Sequence, residues 1–300
     1  MDSPINWIGG KHLSAKKIVE LMPEHHCYCE PFFGAGWVFF VKSKANTEVI
    51  NDVNSELINI WRILQRKPEE FKERGRYELY AREFYEEYCR DFSEGRHQKM
   101  SDVERAFRFF CMIKSAFGSK LFGGWGFGPA RNVADAFFNE FKIIDAVTER
   151  LKHVQIDNKD FEQLIKDYDR VDTLTFVDPP YIKANVDAQY FKSMGANNVI
   201  GFGLHDHQRL YNTLKGLKGK FILTIDDASF VRERYCVGKQ GENGFWWIDN
   251  TVFYSSADKD NRKHVIELII TNYDTTEVIK QNKLKNANGI FTGTKSLMDY

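Results

Sequence analysis

Leu174-Thr175-Phe176-Val177-Asp178-Pro179-Pro180-Tyr181 is the stretch on which the fold turns. The first four residues are apolar or β-branched and read as a buried strand. Two successive prolines donate no backbone hydrogen bond and fix φ at about −65°. The chain therefore leaves the strand in a rigid, extended turn. That turn holds the Asp178 carboxylate and the Tyr181 ring in a fixed relation. The acceptors it presents are the carboxylate and the proline carbonyl oxygens. They suit an exocyclic NH₂, which has two protons to give, and the neighbouring ring suits a planar base.

Working outward, the same strand-then-turn pattern recurs. Cys29-Glu30-Pro31-Phe32-Phe33-Gly34-Ala35-Gly36 follows a short strand and precedes an apolar helical run. Gly-x-Gly between strand and helix lets backbone approach a ligand closely. Asp52 closes the next strand, where a carboxylate can accept both hydroxyls of a ribose. Position 39 is Phe, so the third glycine of the dinucleotide pattern is missing, and no Gly-Lys-Ser/Thr follows the turn. NAD and P-loop ATP binding are both disfavoured.

Strands are expected at 26–30, 48–51, 154–157, 174–177 and 220–225, with a final hairpin of 246–254 and 264–271. Helices are expected between them, at 54–65, 138–153, 161–166 and 205–217. This alternation argues for a mostly parallel sheet with helices on both faces. Residues 62–131 differ. Residues 69–92 and 103–117 read as helices, and a Gly-rich aromatic loop follows at 122–129. The expected organisation is one discontinuous α/β domain, 1–61 and 132–280, a helical insert at 62–131, and a polar tail at 281–300.

Composition limits the function. The chain has 300 residues, with 42 Lys plus Arg against 42 Asp plus Glu, so bulk positive charge does not hold a nucleic acid. Divided by region the balance is uneven: 5 basic and 7 acidic residues in 1–61, 15 and 11 in 62–131, 22 and 24 in the remainder. The insert alone carries a basic excess. No apolar run is long enough for a membrane helix, and the N-terminus lacks signal-peptide form. The five cysteines are irregularly spaced and read as reduced thiols of a cytoplasmic protein. His25, His26, Cys27 and Cys29 lack a second ligand pair, so no metal site is expected.

The motifs together resemble the Dam-like DNA adenine-N6 methyltransferases. Asp178-Pro179-Pro180-Tyr181 resembles the signature of amino-group methyltransferases, and Glu30 to Gly36 their cofactor turn. Asn6-Trp7-Ile8-Gly9-Gly10-Lys11 resembles the family's N-terminal segment. Asn51-Asp52-Val53-Asn54, Leu223-Thr224-Ile225-Asp226-Asp227 and Asn261-Arg262-Lys263-His264-Val265-Ile266-Glu267-Leu268 are similar to later family segments, in the family's order. The resemblance implies a Rossmann-like class I methyltransferase sheet with a C-terminal hairpin and a target-recognition insert. It implies S-adenosylmethionine held by Trp7, Lys11, Glu30, Phe32, Gly34, Gly36, Asp52 and Asp178, with Asp160 and Phe161 on its adenine. It implies a catalytic turn of Asp178, Pro179, Pro180 and Tyr181 and a flipped adenine in double-stranded DNA. Lys114, Lys120 and Arg131 are then expected on phosphates, with Trp125 in the recognition loop.

Asp160 has a second reading as a helix N-cap. The better-known branch carries an Asn-Arg…Asn-Gly segment where this chain has Lys114-Ser115-Ala116-Phe117-Gly118-Ser119-Lys120, so that branch's recognition sequence does not carry over. Trp37 stands where a small residue is usual. N4-cytosine methylation, an RNA substrate and a catalytically inactive DNA-binding relative are the alternatives. Nothing in the chain resembles a nuclease, so a restriction endonuclease partner would be encoded separately.

Overall fold

The structure is a computed structural model that describes residues 1–5, 7, 9–119, 121–128, 132–182, 201–253 and 264–287. Cys27–Glu30 (β1), Thr47–Asn51 (β2), Gln155–Asp157 (β3), Thr173–Val177 (β4), Lys220–Asp226 (β5), Trp246–Phe253 (β6) and His264–Thr271 (β7) form one sheet. The order is β3-β2-β1-β4-β5-β7-β6. β1 to β5 pair in parallel, and β7 runs antiparallel between β5 and β6. This is the class I methyltransferase arrangement implied by the resemblance, hairpin included.

Side-chain alternation explains why both faces are covered. On β5, Phe221, Leu223 and Ile225 enter one core while Ile222 enters the other. On β4, Leu174 and Phe176 face the second of these cores and Val177 the first. One face is covered by Phe161–Tyr168 (α9), Leu204–Lys215 (α10) and Ser229–Tyr235 (α11). The other face carries Ala15–Glu20 (α1), Trp37–Val41 (α2) and Ser55–Arg66 (α3).

The inserted helices are Pro68–Arg76 (α4), Arg82–Ser93 (α5) and Asp102–Ser115 (α6). Phe71, Tyr88, Phe92, Phe107, Phe109 and Phe110 pack in the same core as Ile50, Leu57 and Trp61. The insert thus shares the core of the sheet's one face. Caps fix the helix starts: Asn54 accepts from the Glu56 and Leu57 amides at 3.1 Å, and Ser101 from Glu104 at 3.2 Å.

Three expectations about elements are corrected. The helix read at 69–92 breaks between Arg76 and Arg82. There Glu78 accepts hydrogen bonds from Arg74 and Tyr88, and the Tyr80 hydroxyl donates to Gly126 O at 2.5 Å. These tertiary bonds override local propensity. The helix read at 138–153 is Val133–Asn139 (α7), a 3₁₀ segment Glu140–Ile143 and Ile144–Leu151 (α8). Residue 281 is no boundary, because Thr275–Ala287 (α12) runs through it and Asn282 donates to the carbonyls of Glu20 and Met22.

Candidate active site

The carboxyl ends of the parallel strands carry a row of acids. β1 ends on Glu30, β2 runs into Asp52, β4 into Asp178, and β5 ends on Asp226; Asp160 follows β3. Ligands of open α/β sheets bind beyond this edge.

The glycine turn after β1 needs its glycines. Gly34 has φ +49° and Gly36 φ +67°, a region L side chains rarely adopt. A Cβ on Gly36 would lie 2.3 Å from Phe33 Cζ, and one on Gly34 would lie 3.1 Å from Trp7 Cδ1. The N-terminal segment therefore rests on the turn. Asp52 holds the turn from the next strand: Gly34 N–H donates to Oδ2 at 3.0 Å and Asn54 N–H to Oδ1 at 2.9 Å. Desolvation pushes the Asp52 carboxyl above the usual range, against the pull of these amides. Trp37 packs its indole within 2.8 Å of where a Gly10 Cβ would be and meets His12 edge-on at 4.6 Å. Its bulk is spent on securing the segment that carries Lys11.

Asp178 is the centre of the site. Its Oδ1 meets Lys11 Nζ at 2.7 Å and accepts from Thr224 Oγ1 at 2.8 Å. Lys11 is 5% exposed, also donates to Gly9 O, and lies 4.8 Å from the Tyr181 ring centroid. Burial pushes the Asp178 carboxyl up, Lys11 and Thr224 oppose this, and the Glu267 charge adds to it. Nearby Glu30 is 2% exposed and accepts from the Tyr28 hydroxyl at 2.7 Å. Burial raises its pKa well above the carboxylate range, and the Asp178 charge adds to the rise. The Tyr181 hydroxyl donates to Glu267 Oε1 at 2.8 Å, and Ile182 N–H to Asp226 Oδ1 at 2.9 Å.

The family model of the D12 class N6 adenine-specific DNA methyltransferases matches residues 7–239. The chain belongs to this family. Among its relatives, the Type II methyltransferase M1.LlaDCHI of Lactococcus lactis subsp. cremoris is 30% identical over 282 residues, covering 89% of this chain and 94% of that one. The Type II methyltransferase M.CviBI of Paramecium bursaria Chlorella virus NC1A is 26% identical over 238 residues, 77% of this chain and 85% of the relative. A DNA adenine methylase of Serratia marcescens is 35% identical over 80 residues, 27% of this chain and 29% of the relative.

As an adenine-specific DNA methyltransferase, the protein acts on DNA and uses a methyl donor. The family selects adenine over the N4-cytosine alternative. Within this D12 methyltransferase, Trp7, Lys11, Gly34, Gly36, Asp52, Asp178 and Tyr181 converge at one edge of the sheet. Phe32 and Phe161 stack at 5.3 Å beside Phe202. Asp160 caps α9 through Glu162 N–H at 3.0 Å and accepts from Arg209 at 2.8 Å, so the N-cap reading holds in the structure.

Of the DNA-facing residues, Lys114 and Trp125 lie among the described residues. The Lys114 ammonium lies 2.6 Å from Glu140 Oε1 with its side chain 5% exposed, so it ties α6 to the 3₁₀ segment Glu140–Ile143. Trp125 stacks with Phe127 at 5.8 Å, and Arg82 lies over both rings. The Tyr85 hydroxyl holds the same loop at Gly123 O. Lys120 and Arg131 lie outside the described residues.

Sequence reading gave no role to four residues that shape the site: Asn51, Thr224, Asp226 and Glu267. Asn51 is 1% exposed and joins the exits of three strands, donating to Pro31 O and Lys159 O and accepting from Lys159 N–H. The available signal was polarity where strands are otherwise apolar, as at Thr224 between Leu223 and Ile225.

Proposed function

We propose that the protein transfers a methyl group from S-adenosylmethionine to the N6 amine of an adenine flipped out of double-stranded DNA at a specific site. The observation that carries this reading is the half-buried Asp178 carboxylate, fixed by Lys11 and Thr224 beside the Tyr181 ring. The residues present suit the donor. Gly34 and Gly36 hold the tight turn at positive φ, Asp52 suits ribose hydroxyls, and Lys11 suits a carboxylate. Trp7, Glu30, Phe32, Asp160 and Phe161 complete the assigned surround. When bound, S-adenosylmethionine supplies an electrophilic methyl on a sulfonium sulfur.

The protein's own work is on the base. The adenine N6 lone pair is delocalised into the ring and is a poor nucleophile. Asp178 and the Pro179 carbonyl accept hydrogen bonds from its two protons. This favours a pyramidal nitrogen and stabilises the positive charge that develops there. The Pro179-Pro180 turn keeps both acceptors rigid, and alignment supplies much of the rest. Tyr181 stacks on the target base, which is unreachable inside a duplex and must be extruded.

The insert reads as the recognition element. Its aromatic loop presents Phe127, which is 63% exposed, beside Arg82 and Trp125. The Type II names of two relatives favour a role beside a separately encoded restriction endonuclease, in the cytoplasm of a bacterial or phage-infected cell. Two experiments test the reading. Calorimetry should show S-adenosylmethionine binding that Asp52→Ala weakens. Modified-base sequencing of DNA from cells expressing the protein should show N6-methyladenine at one recurrent sequence. No donor binding, or methylation without sequence preference, would contradict it.

A further inference from the structure

Asp226 and Glu267 stand directly opposite each other on β5 and β7. They are 3% and 2% exposed, and their strand neighbours Ile225 and Leu268 are apolar. Like charges directly opposite in a sheet are destabilising, and a buried carboxylate is costly unless it is hydrogen-bonded. A pair placed there at such cost has a use. Each acid holds one of two consecutive residues leaving the Pro179-Pro180 turn: Glu267 accepts from the Tyr181 hydroxyl at 2.8 Å, and Asp226 accepts from Ile182 N–H at 2.9 Å. One bond fixes the far end of the ring and the other the backbone behind it. Two anchors fix the ring's long axis, which one alone would leave free to swing. Lys11 Nζ, 4.8 Å from the ring centroid, also sits against the ring.

We propose that Glu267, supported by Asp226, is a positioning residue that fixes where the long axis of the Tyr181 ring lies for capture of the target adenine. This rests on the reading that Tyr181 stacks on the base. The test is a double-mutant cycle of Tyr181→Phe with Glu267→Ala, with Glu267→Gln as the variant that keeps an acceptor. Methyl transfer to duplex DNA is measured at saturating S-adenosylmethionine, and donor affinity is measured by calorimetry.

One lost hydrogen bond corresponds to about a tenfold change. Tyr181→Phe and Glu267→Ala should each raise KM for DNA by about that factor, with donor affinity unchanged. The double variant should be no worse than the worse single. Glu267→Gln should recover KM to within about threefold of wild type. Multiplicative losses in the double variant, a Tyr181→Phe enzyme with wild-type KM, or loss of donor affinity in Glu267→Gln would overturn the proposal. Tyr181→Phe retains the ring and tests the bond even where Glu267→Ala does not fold. Tyr181→Ala separates the two readings. If it leaves KM for DNA unchanged, the stacking role itself falls. If it raises KM while Tyr181→Phe does not, only the Glu267 role falls.

Discussion

At the scale of single residues, the chemistry depends on Asp178 being ionised inside the protein. Desolvation raises its pKa, and Lys11 at 2.7 Å is the main opposing influence. Only the ionised carboxylate offsets the positive charge that develops on the amine, so the acid limb of the rate profile follows this pKa. Lys11→Met removes the largest opposing charge. The acid limb of kcat against pH, measured at saturating donor and DNA, should therefore move to higher pH than in wild type. An unmoved limb would show that Lys11 does not set the ionisation of Asp178. The residues that carry this chemistry were legible because they sit in short contiguous motifs. Thr224, Asp226 and Glu267 also lie in such segments, but their roles were not legible, since their bonds reach partners 46, 44 and 86 positions away. Such bonds exist only once β4, β5 and β7 are in register.

At the scale of elements, α10 supports the reactive turn through a buried histidine. His207 is 2% exposed, and its ring bonds the Pro180 carbonyl while Nε2 meets no partner. A carbonyl only accepts, so the neutral ring carries its proton on Nδ1. Burial lowers the His207 pKa to about 4, against the pull of Asp226, Asp206 and the Pro180 carbonyl. The folded pKa lies below the unfolded value, so between the two the unfolded chain binds more protons. Stability is full above the ordinary histidine pKa and falls as pH drops toward 4. The shift corresponds to roughly 3 kcal/mol.

His207→Asn keeps a donor for Pro180 but does not titrate. Denaturant unfolding of both proteins from pH 7 to 4 should show wild type losing about that much more stability than the variant. Glu30 and Asp178 titrate in both proteins and cancel in the comparison. Parallel curves would contradict the assignment. The strands of this layer were readable to within about a residue or two at each end. Buried parallel strands are near-continuous apolar runs stopped by turn residues. The break between α4 and α5 was not readable, because Glu78 and Tyr80 are drawn out of the helix by Arg74, Tyr88 and Gly126.

At the scale of the whole molecule, the even balance of 42 basic and 42 acidic residues becomes a statement about how DNA is held. The insert has a basic excess, yet Arg74, Arg105, Arg108 and Lys114 within it are paired with carboxylates. These four cations are engaged within the fold, so the slope of log K against log salt should be no steeper than about −4. A slope near about −8 would mean that phosphate contacts dominate binding. Beyond affinity, Asp178 directs methyl transfer to adenine N6. Mass analysis of nucleosides from duplex DNA incubated with the protein and isotopically labelled S-adenosylmethionine tests it most directly. Wild type should yield labelled N6-methyladenine, and folded Asp178→Ala at least about a hundredfold less. Labelled N4-methylcytosine, or N6-methyladenine formed equally well by Asp178→Ala, would contradict the account.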